Sequence, residues 1–367
     1  MIARGLAVGA VLVGSLVTDN AARQDDGACS RLEPVALGGT VTEPKLIELS
    51  GLAGSRQWSD VLWGHNDSGG APELYAFAED GTSLGTYPVE GAEAVDWEDI
   101  ATGPDPSGRD TVLYIGDIGD NDAVRPSVTV YRVYEPGERP IAPGSPLTEV
   151  EAIELTYPDG PADAEALLID PSNGDLIIVT KSLTGASRVL VAPAASLVAG
   201  DPVTMTDAGG LSVPLASAPG GGLPGTMVTG GDVSPDGSLV ALRTYRSVLV
   251  FDRDEDQALA DALLGDPCFG PQEEEQQGEA IAFTGDGVAY VTASEGANPT
   301  IHRVEIAAPV TTTTVRDPDG AGDGASAAED DDDIVTIGGL LVGAGLLLVV
   351  VGGGALWWSR RRGSVAG

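Results

Sequence analysis

Acidic side chains recur at two kinds of position along this chain. Glu98, Glu165 and Glu279 each stand near the start of an apolar run, whereas Asp67 and Asp117 each follow the end of one. A hard cation such as Ca²⁺ takes about six to eight oxygen ligands, so carboxylates that converge from several segments suit it. These five carboxylates are therefore the candidate metal ligands. The alternative is that Asp and Gly residues simply form turns and that the acidic positions are solvated.

Further polar residues lie at the starts of the first runs, at the ends of the second runs and in the loops beside them. These positions are far more polar than the apolar runs themselves. The bases among them, Arg125, Lys181 and Arg243, either bind an anionic group beside the metal or neutralise neighbouring carboxylates by ion pairing. The candidate ligand-binding residues are His65, Asn66, Asp120, Asn121, Arg125, Lys181, Asp232, Arg243 and Glu295.

No residue is predicted to be catalytic. The segment Asp67-Ser68-Gly69 resembles the surroundings of a protease nucleophile, but a serine triad needs a histidine base, and the chain has only His65 and His302. Neither histidine precedes an Asp and Ser pair in the chymotrypsin-like order. The sequence also contains no G-x-S-x-G elbow, no cysteine–histidine zinc spacing and no nucleotide-binding glycine loop.

The elements that must position these residues are short strands. From residue 30 to 308, alternating or apolar runs are separated by Asp-Gly, Asn-Gly and Pro-Gly turns, and the chain contains 51 glycines and 25 prolines. Such a pattern favours an all-β domain. A pattern of three runs recurs in five units. Several strands repeated every ~40–50 residues are typical of the blades of a β-propeller.

We expect a β-propeller of six blades, the sixth within the insertion at 208–225, with a β-sandwich as the competing architecture. In an antiparallel blade, the start of the first strand and the end of the second lie at the same end. The acidic positions should therefore converge at one mouth of the central channel. In the fourth unit the equivalent position is Asp232 or Thr229. It is Thr229 if the unit is aligned with the others on the turn that follows its first run.

The two cysteines indicate how the ring closes. Cys29 and Cys268 lie near the start and late in the domain, and an exported chain with an even number of cysteines usually pairs them. A strand near 31–37 would complete the last unit, and the disulfide would pin that closure. The alternative is two unrelated free thiols.

Both ends of the chain carry targeting signals. Residues 1–28 contain a predicted secretory signal peptide, since a basic residue precedes an apolar run too short to span a bilayer. The 25 charge-free residues at 334–358 are predicted to form a transmembrane helix. Arginines follow it, so the basic tail at 359–367 is expected in the cytoplasm. The propeller at 29–308 would then lie outside the membrane, joined to the helix by a disordered acidic linker at 309–333.

The charge of the chain excludes one class of partner. Nineteen Lys and Arg residues stand against 56 Asp and Glu residues, which gives a net charge of −37. Such a surface repels the phosphate backbone of nucleic acids. We therefore expect no nucleic-acid partner.

Several motifs resemble a known family. The segments Ser50-Gly-Leu-Ala, Trp63-Gly-His-Asn-Asp-Ser-Gly and Leu113-Tyr-Ile-Gly-Asp-Ile-Gly-Asp-Asn look like those of the phytase-like six-bladed propellers, including the group called esterase-like. The resemblance is best over residues 49–134. It implies calcium in the central channel and hydrolysis of phosphoesters or esters. The acidic channel positions that it carries over are Asp67, Glu98, Asp117, Glu165 and Glu279.

The sequence therefore predicts a membrane-anchored, extracytoplasmic propeller. Its cation-stabilised acidic mouth would bind a small molecule, a wall component or a protein partner. A second hypothesis is a calcium-dependent phosphoesterase or esterase, although the chain has only two lysines to attract a polyphosphate. A third is a rigid structural or adhesion head, whose partner binding would not depend on the residues of the mouth.

Overall fold

The repeated runs form five antiparallel blades arranged as a propeller. The structure is a computed structural model that describes residues 27–108, 111–137, 144–213, 222–275 and 277–308. The signal region up to residue 26, and the predicted linker, transmembrane helix and tail from residue 309 onward, lie outside these residues. Across the described ranges, no helix is long and apolar enough to cross a bilayer.

Each blade is a meander that starts at the channel and ends at the outer edge, and the strands are as follows. Strand β1 (Ala36–Thr40) belongs to the fifth blade. The first blade contains β2 (Leu49–Gly54), β3 (Val61–Asn66), β4 (Glu73–Ala78) and β5 (Ser83–Pro88). The second contains β6 (Trp97–Pro104), β7 (Thr111–Asp117), β8 (Val128–Tyr134) and β9 (Glu151–Thr156).

The remaining blades follow the same order. The third contains β10 (Ala164–Ile169), β11 (Leu176–Thr180), β12 (Ala186–Ala192) and β14 (Thr206–Ser212), while β13 (Val203–Thr204) pairs in parallel with β9. The fourth contains β15 (Val228–Val233), β16 (Leu239–Thr244), β17 (Ser247–Asp252) and β18 (Cys268–Gly270). The fifth contains β19 (Gly278–Phe283), β20 (Ala289–Ser294) and β21 (Thr300–Glu305), with β1 at its edge, and a short helix α1 (Leu259–Leu263) follows β17.

The strands are short because turn-forming residues interrupt them. Between β15 and β16, Gly237 adopts a φ of +74° that favours glycine. The Asp236 carboxylate accepts hydrogen bonds from the amide of Ser238 at 3.0 Å and from the hydroxyl of Ser234 at 2.7 Å. Such local bonds fix the reversal of the chain, so the polar Asp-Gly segments of the sequence become hairpin turns.

The expectation of six blades is wrong for the described residues. The inner strands β2, β6, β10, β15 and β19 contact one another in a closed ring, and β19 packs directly against β2. No gap is therefore left for a sixth blade between them. The part of the 208–225 insertion that the structure describes supplies the end of β14 and the lead into β15.

Closure joins the two ends of the domain. Strand β1 pairs antiparallel with β21, so the fifth blade contains strands from both ends of the chain. The predicted disulfide is confirmed: Cys29 and Cys268 are bonded, with 6.0 Å between their Cα atoms. Cys268 begins β18 of the neighbouring fourth blade, so the bridge ties the N-terminal segment to that blade.

Apolar side chains fill the five gaps between neighbouring blades. In the gap between the first and second blades, Trp63 and Trp97 are fully buried. The indole N–H of Trp63 donates to Oε1 of Glu135 at 2.9 Å, which satisfies its one polar atom. Both tryptophans therefore belong to the core.

Two buried carboxylates link the inner strands inside the channel. Asp99 on β6 accepts hydrogen bonds from the amide of Leu167 on β10 at 2.9 Å and from that of Gly231 on β15 at 3.0 Å. Asp232 on β15 accepts from the amide of Phe283 on β19 at 2.7 Å. These bonds hold the inner strands in a common register, and that register brings the starts of these strands to one level.

Candidate metal centre

The starts of the inner strands and the ends of the second strands meet at one end of the channel. We call this end the channel mouth. It comprises the carboxylates Asp67, Asp96, Glu98, Asp163, Glu165 and Glu279, together with Lys181 and Tyr245. The convergence follows from the antiparallel blades, because each pair of first and second strands opens toward the same face.

Two groups of carboxylates lie close enough to share a cation. Asp67, Asp96 and Glu98 form one group, and Glu98, Asp163 and Glu165 form the other; within each group one oxygen per residue lies within 4.8 Å of the others. Glu98 belongs to both groups and so occupies the centre of the cluster. The structure brings the predicted residues Asp67, Glu98 and Glu165 together.

Sequence reasoning missed Asp96 and Asp163. Each stands two residues before a glutamate that opens an inner strand, in Asp96-Trp-Glu98 and Asp163-Ala-Glu165. The segment Gln277-Gly-Glu279 has the same spacing in the fifth blade. This repeated Asp-x-Glu spacing was the signal that could have identified both residues.

Glu98 and Glu279 are buried at the channel mouth. Glu98 is 5% exposed and Glu279 is 8% exposed. Within the part of the chain that the structure describes, neither carboxylate has a hydrogen-bond or ion-pair partner. Buried carboxylates are normally paired or bound to a metal, because leaving a charge unpaired in the interior is costly. Both side chains thus lack the compensation that a cation would supply.

The electrostatics of the channel mouth confirm this crowding of like charges. Burial and then the charge of Glu165 raise the pKa values of Glu98 and Glu279 well above their ordinary value. Burial raises the pKa of Glu165 to about 8, although Lys181 lowers it, and burial with the charge of Asp67 raises that of Asp96 to about 6. A bound cation would favour the ionised form of each of these groups.

Lys181 is the internal cation of the channel mouth. Its ammonium group pairs with Oε1 of Glu165, donates to the Tyr245 hydroxyl at 2.9 Å and lies 5.1 Å from the centroid of the Tyr245 ring. Burial opposes its charge, but Glu165 and Tyr245 raise its pKa overall. Lys181 therefore pairs directly with one carboxylate, Glu165, and acts on Asp67, Glu98 and Glu279 only through its charge.

Gly119 forms one wall of the cluster. A Cβ atom built at this position would overlap Oε1 of Glu98 and Oδ2 of Asp96. Its amide donates to the carbonyl of Asp96 at 3.1 Å, which fixes the backbone against the carboxylates. A glycine is required here because the chain passes so close to them.

Asp117 lies outside both carboxylate groups. Its Oδ1 accepts from the amide of Asp96 at 3.1 Å and pairs with Nη2 of Arg125 at 2.8 Å, while Oδ2 accepts from the amide of Val95 at 3.2 Å. The structure therefore places Asp117 behind the cluster, where it positions Asp96. Sequence reasoning treated it as a ligand because it follows a second strand, as Asp67 does.

The loop after Asp117 is held by its own side chains. Asp120 accepts from the amides of Val124 and Arg125 at 2.9 Å and 2.8 Å, and its own amide donates to Oδ1 of Asp163 at 2.9 Å. Nη1 of Arg125 donates to the carbonyl of Gly119 at 2.7 Å. Asn121 is exposed at the tip. These residues shape the loop, and Arg125 neutralises Asp117.

His65 and Asn66 lie at the end of β3. His65 is fully buried beside Trp97, with its Nδ1 2.9 Å from the carbonyl of Asn66, and burial lowers its pKa to about 4. Oδ1 of Asn66 accepts from the amides of Ile47 and Glu48, both at 3.0 Å. Asn66 therefore holds the segment that leads into β2, and His65 is a core residue beside it.

Among the residues that the structure describes, the fourth blade contributes no carboxylate to the mouth. Thr229 occupies the second position of β15, which Glu98 and Glu279 occupy in β6 and β19, and Asp232 lies deeper in the channel. The Thr229 hydroxyl donates to the carbonyl of Gly278 at 2.9 Å. Thr229, and not Asp232, is therefore the residue of the fourth unit that is equivalent to Glu98 and Glu279.

The last two candidates lie on the fourth and fifth blades. The guanidinium of Arg243 is buried against Gly278 and pairs with Glu275, which lies between β18 and β19. Glu295 accepts a hydrogen bond from the Gln277 side chain, and its charge contributes to the raised pKa of Glu279. Arg125, Lys181 and Arg243 thus all neutralise carboxylates by ion pairing.

No protein-family model matches the chain, and no curated protein is similar to it in sequence. The likeness to phytase-like propellers thus rests on the quoted motifs, and the structure has five blades where that likeness implies six. The chain is a five-bladed β-propeller whose functional argument rests on the geometry of its channel mouth.

Proposed function

We propose that the channel mouth binds a divalent cation, Ca²⁺ by preference, and that the propeller uses this centre to bind a ligand. The observation that carries the proposal is the position of Glu98, which is buried, unpartnered among the described residues and common to both carboxylate groups. A second feature supports it: the backbone at Gly119 lies against both Glu98 and Asp96 and so keeps these two carboxylates side by side.

The donor set favours Ca²⁺ over zinc. Both groups consist of carboxylates alone, and zinc prefers nitrogen and sulfur ligands. The carboxylates come from the loops and strand ends of three blades, so their oxygens can adjust to the flexible geometry that Ca²⁺ accepts. Asp67, Asp96, Glu98, Asp163 and Glu165 would hold the ion, with Glu279 adding negative charge nearby.

Ligand binding is the role that the basic residues favour. The three bases predicted at the mouth are each paired with a carboxylate, so they are not free to bind a phosphate group. A second candidate is cation-dependent ester hydrolysis. It is favoured by the raised pKa of Glu279, which stands outside the residues that would hold the ion, because a carboxyl group with a raised pKa can act as a general acid.

Calorimetric titration of the metal-free full chain with Ca²⁺ tests the metal centre. We expect saturable binding, and we expect Glu98→Gln to weaken it at least about tenfold, because the residue shared by both groups loses a charge. Glu154→Gln is the matched control, since Glu154 is exposed on β9 and its loss should leave affinity unchanged. The proposal fails if the wild-type chain does not bind Ca²⁺ or if Glu98→Gln binds like the control.

Activity assays distinguish the two candidate roles. The full chain is incubated with generic phosphoesters and carboxylic esters, with and without a chelator. Turnover that is lost with the chelator and in Glu98→Gln would establish the hydrolase. Ca²⁺ binding without turnover favours the ligand-binding role.

We also propose that the chain is exported and anchored by a helix at 334–358. The length of this charge-free segment and the arginines after it support the anchor, and the disulfide between Cys29 and Cys268 suits an oxidising compartment. Protease treatment of intact cells tests the orientation. Digestion of the propeller from outside is expected, and its full protection would contradict the proposal.

A further inference from the structure

We propose that the face around the channel mouth is a docking surface for a protein segment that combines lysine or arginine with apolar side chains. The inference goes beyond cation binding at the mouth and does not depend on it. It rests on the distribution of exposed apolar side chains, on the way in which their loops are held, and on the charge that they surround.

Exposed apolar side chains concentrate on this face. In the described part of the chain, nine large apolar side chains are exposed. Five of them, between 51% and 70% exposed, lie on connections at the mouth end of the blades. We call this set the apolar rim: Ile47, Val95, Val124, Leu183 and Leu223.

The topology places the rim residues on one side of the propeller. Ile47, Val95 and Leu223 lie on the segments that lead into inner strands β2, β6 and β15. Val124 and Leu183 lie on the loops between the second and third strands of their blades. All of these connections are at the mouth end, so the rim surrounds the carboxylates from the first to the fourth blade.

The rim residues are held in place by polar side chains. The amide of Ile47 donates to Asn66 at 3.0 Å, that of Val95 to Asp117 at 3.2 Å and that of Val124 to Asp120 at 2.9 Å. These three acceptors are residues that the sequence marked as candidate ligands.

The other two rim residues lie in turns that are held in a similar way. The Thr226 hydroxyl donates to the carbonyl of Leu223 at 2.9 Å, and the amide of Thr184 donates to the hydroxyl of Ser182 beside Leu183 at 3.3 Å. A surface fixed before binding loses less conformational entropy when a partner docks. The rim is therefore built to present apolar side chains to a partner.

A surface cavity of about 400 Å³ lies beside Ile47 of the rim. It is lined by Ile47 of the rim, by the carboxylate residues Glu48 and Glu73, and by Asn66 and Ser68 on either side of Asp67. The Lys45 ammonium also lines it and lies 3.4 Å from Glu73. The cavity has the size to take one side chain of a partner.

The negative charge of the mouth favours a basic partner over an acidic one. The mouth contains six carboxyl groups and one lysine, so acidic groups far outnumber the one base there. A second copy of this chain, with a net charge of −37, would bring like charges together, and an anionic lipid surface would do the same. A basic segment matches the mouth, and its apolar residues match the rim.

The test uses a displayed library of random twelve-residue peptides, selected on the full chain. We expect the selected peptides to be enriched in lysine or arginine next to apolar residues. Their binding should weaken at least tenfold in the rim variant Val124→Ser, Leu183→Ser, Leu223→Ser and should weaken in higher salt. The matched control is Leu37→Ser, Val198→Ser, Val288→Ser, which removes equally exposed apolar side chains from other faces.

The outcomes are distinct from those for the metal centre. The rim variant is expected to keep wild-type Ca²⁺ affinity and thermal stability, since its side chains are exposed and none belongs to the carboxylate groups. Peptides that bind the rim and control variants equally, a selection of acidic peptides, or no selection at all would each overturn the proposal. Loss of peptide binding in Glu279→Gln with the rim intact would show the contribution of charge.

Discussion

At the scale of single residues, this propeller concentrates negative charge where solvent cannot disperse it. Glu98 and Glu279 are almost fully buried and have no partner among the described residues, while Glu165 shares one lysine. Burial and mutual repulsion raise the pKa values of all three. Such an arrangement opposes folding unless something compensates it, and this is the physical reason to assign a cation to the channel mouth.

Gly119, whose backbone lies against this cluster, allows a prediction about a single residue. Gly119→Ala places a methyl group against Glu98 and Asp96, so the two carboxylates must separate. Since the φ of Gly119 is not in the left-handed region, the effect is steric and not conformational. We expect Ca²⁺ affinity, measured by calorimetry, to fall at least about tenfold.

Gly137→Ala is the control for this substitution. A Cβ at Gly137 would meet no atom within 4 Å, so affinity and melting temperature should stay at wild-type values. Wild-type affinity in Gly119→Ala would show that the ion binds away from Glu98 and Asp96.

At the scale of elements, buried carboxylates determine how the inner strands align. Asp99 joins β6 to β10 and β15, and Asp232 joins β15 to β19. Both are fully buried and accept backbone amides, which is how a charged group is tolerated in the interior. The polar side chains of this channel therefore serve two purposes: those at depth align strands, and those at the mouth form the candidate site.

The buried carboxyl group of Asp232 should make the free energy of unfolding depend on pH. Burial raises its pKa to about 6 in the folded state, against about 3.9 in the unfolded chain. The folded state therefore binds this proton more tightly, and the stabilisation present below pH 4 is lost as the pH rises through 6. We expect the stability difference between wild type and Asp232→Asn to shift by about 2–3 kcal/mol against the wild type from pH 4 to 7.

Urea unfolding at several pH values measures this difference, in which the titration of all other groups cancels. Asp201→Asn serves as the control, because Asp201 is exposed and its replacement should give a difference that does not change with pH. A pH-independent difference for Asp232→Asn as well would mean that Asp232 keeps its ordinary pKa when folded.

At the scale of the whole molecule, stability depends on closing the ring. The N-terminal strand β1 completes the fifth blade by pairing with β21, and the Cys29–Cys268 disulfide fastens the same end across 239 residues of sequence. A ring of blades is closed only when the first and last segments of the domain are joined to each other. The two ends of the described chain therefore meet at one seam.

Removing the bridge should weaken this seam. The double variant Cys29→Ser, Cys268→Ser is expected to lose about 2–5 kcal/mol of unfolding free energy, since the unfolded chain regains the freedom of a very long loop. Denaturant unfolding measures the loss.

A reducing agent provides the control for this prediction. It should destabilise the wild type by a similar amount and leave the double variant unchanged. Equal stability of the wild type and the double variant would show that strand pairing alone closes the ring.

Much of the candidate site could be predicted because the repeat maps sequence positions onto one face. Asp67, Glu98, Glu165, Glu279 and Lys181 all meet at the mouth, as the alternation of strand directions requires. The distinct positions of Asp67 and Asp117 could not be predicted. Both follow a second strand, but Arg125 and two backbone amides hold Asp117 behind the cluster.

The sequence by itself determined that this domain is a β-propeller of repeated units, that its acidic residues gather at one mouth, and that Cys29 pairs with Cys268. Local turn chemistry and strand alternation are enough for the first two conclusions, because both act over a few residues, whereas the disulfide follows from the even number of cysteines in a chain predicted to be exported. Only the tertiary structure decided that five blades close the ring, which carboxylates approach within 4.8 Å, and which apolar side chains surround them. Those features depend on packing between blades that are distant in sequence, and a local sequence pattern does not specify that packing.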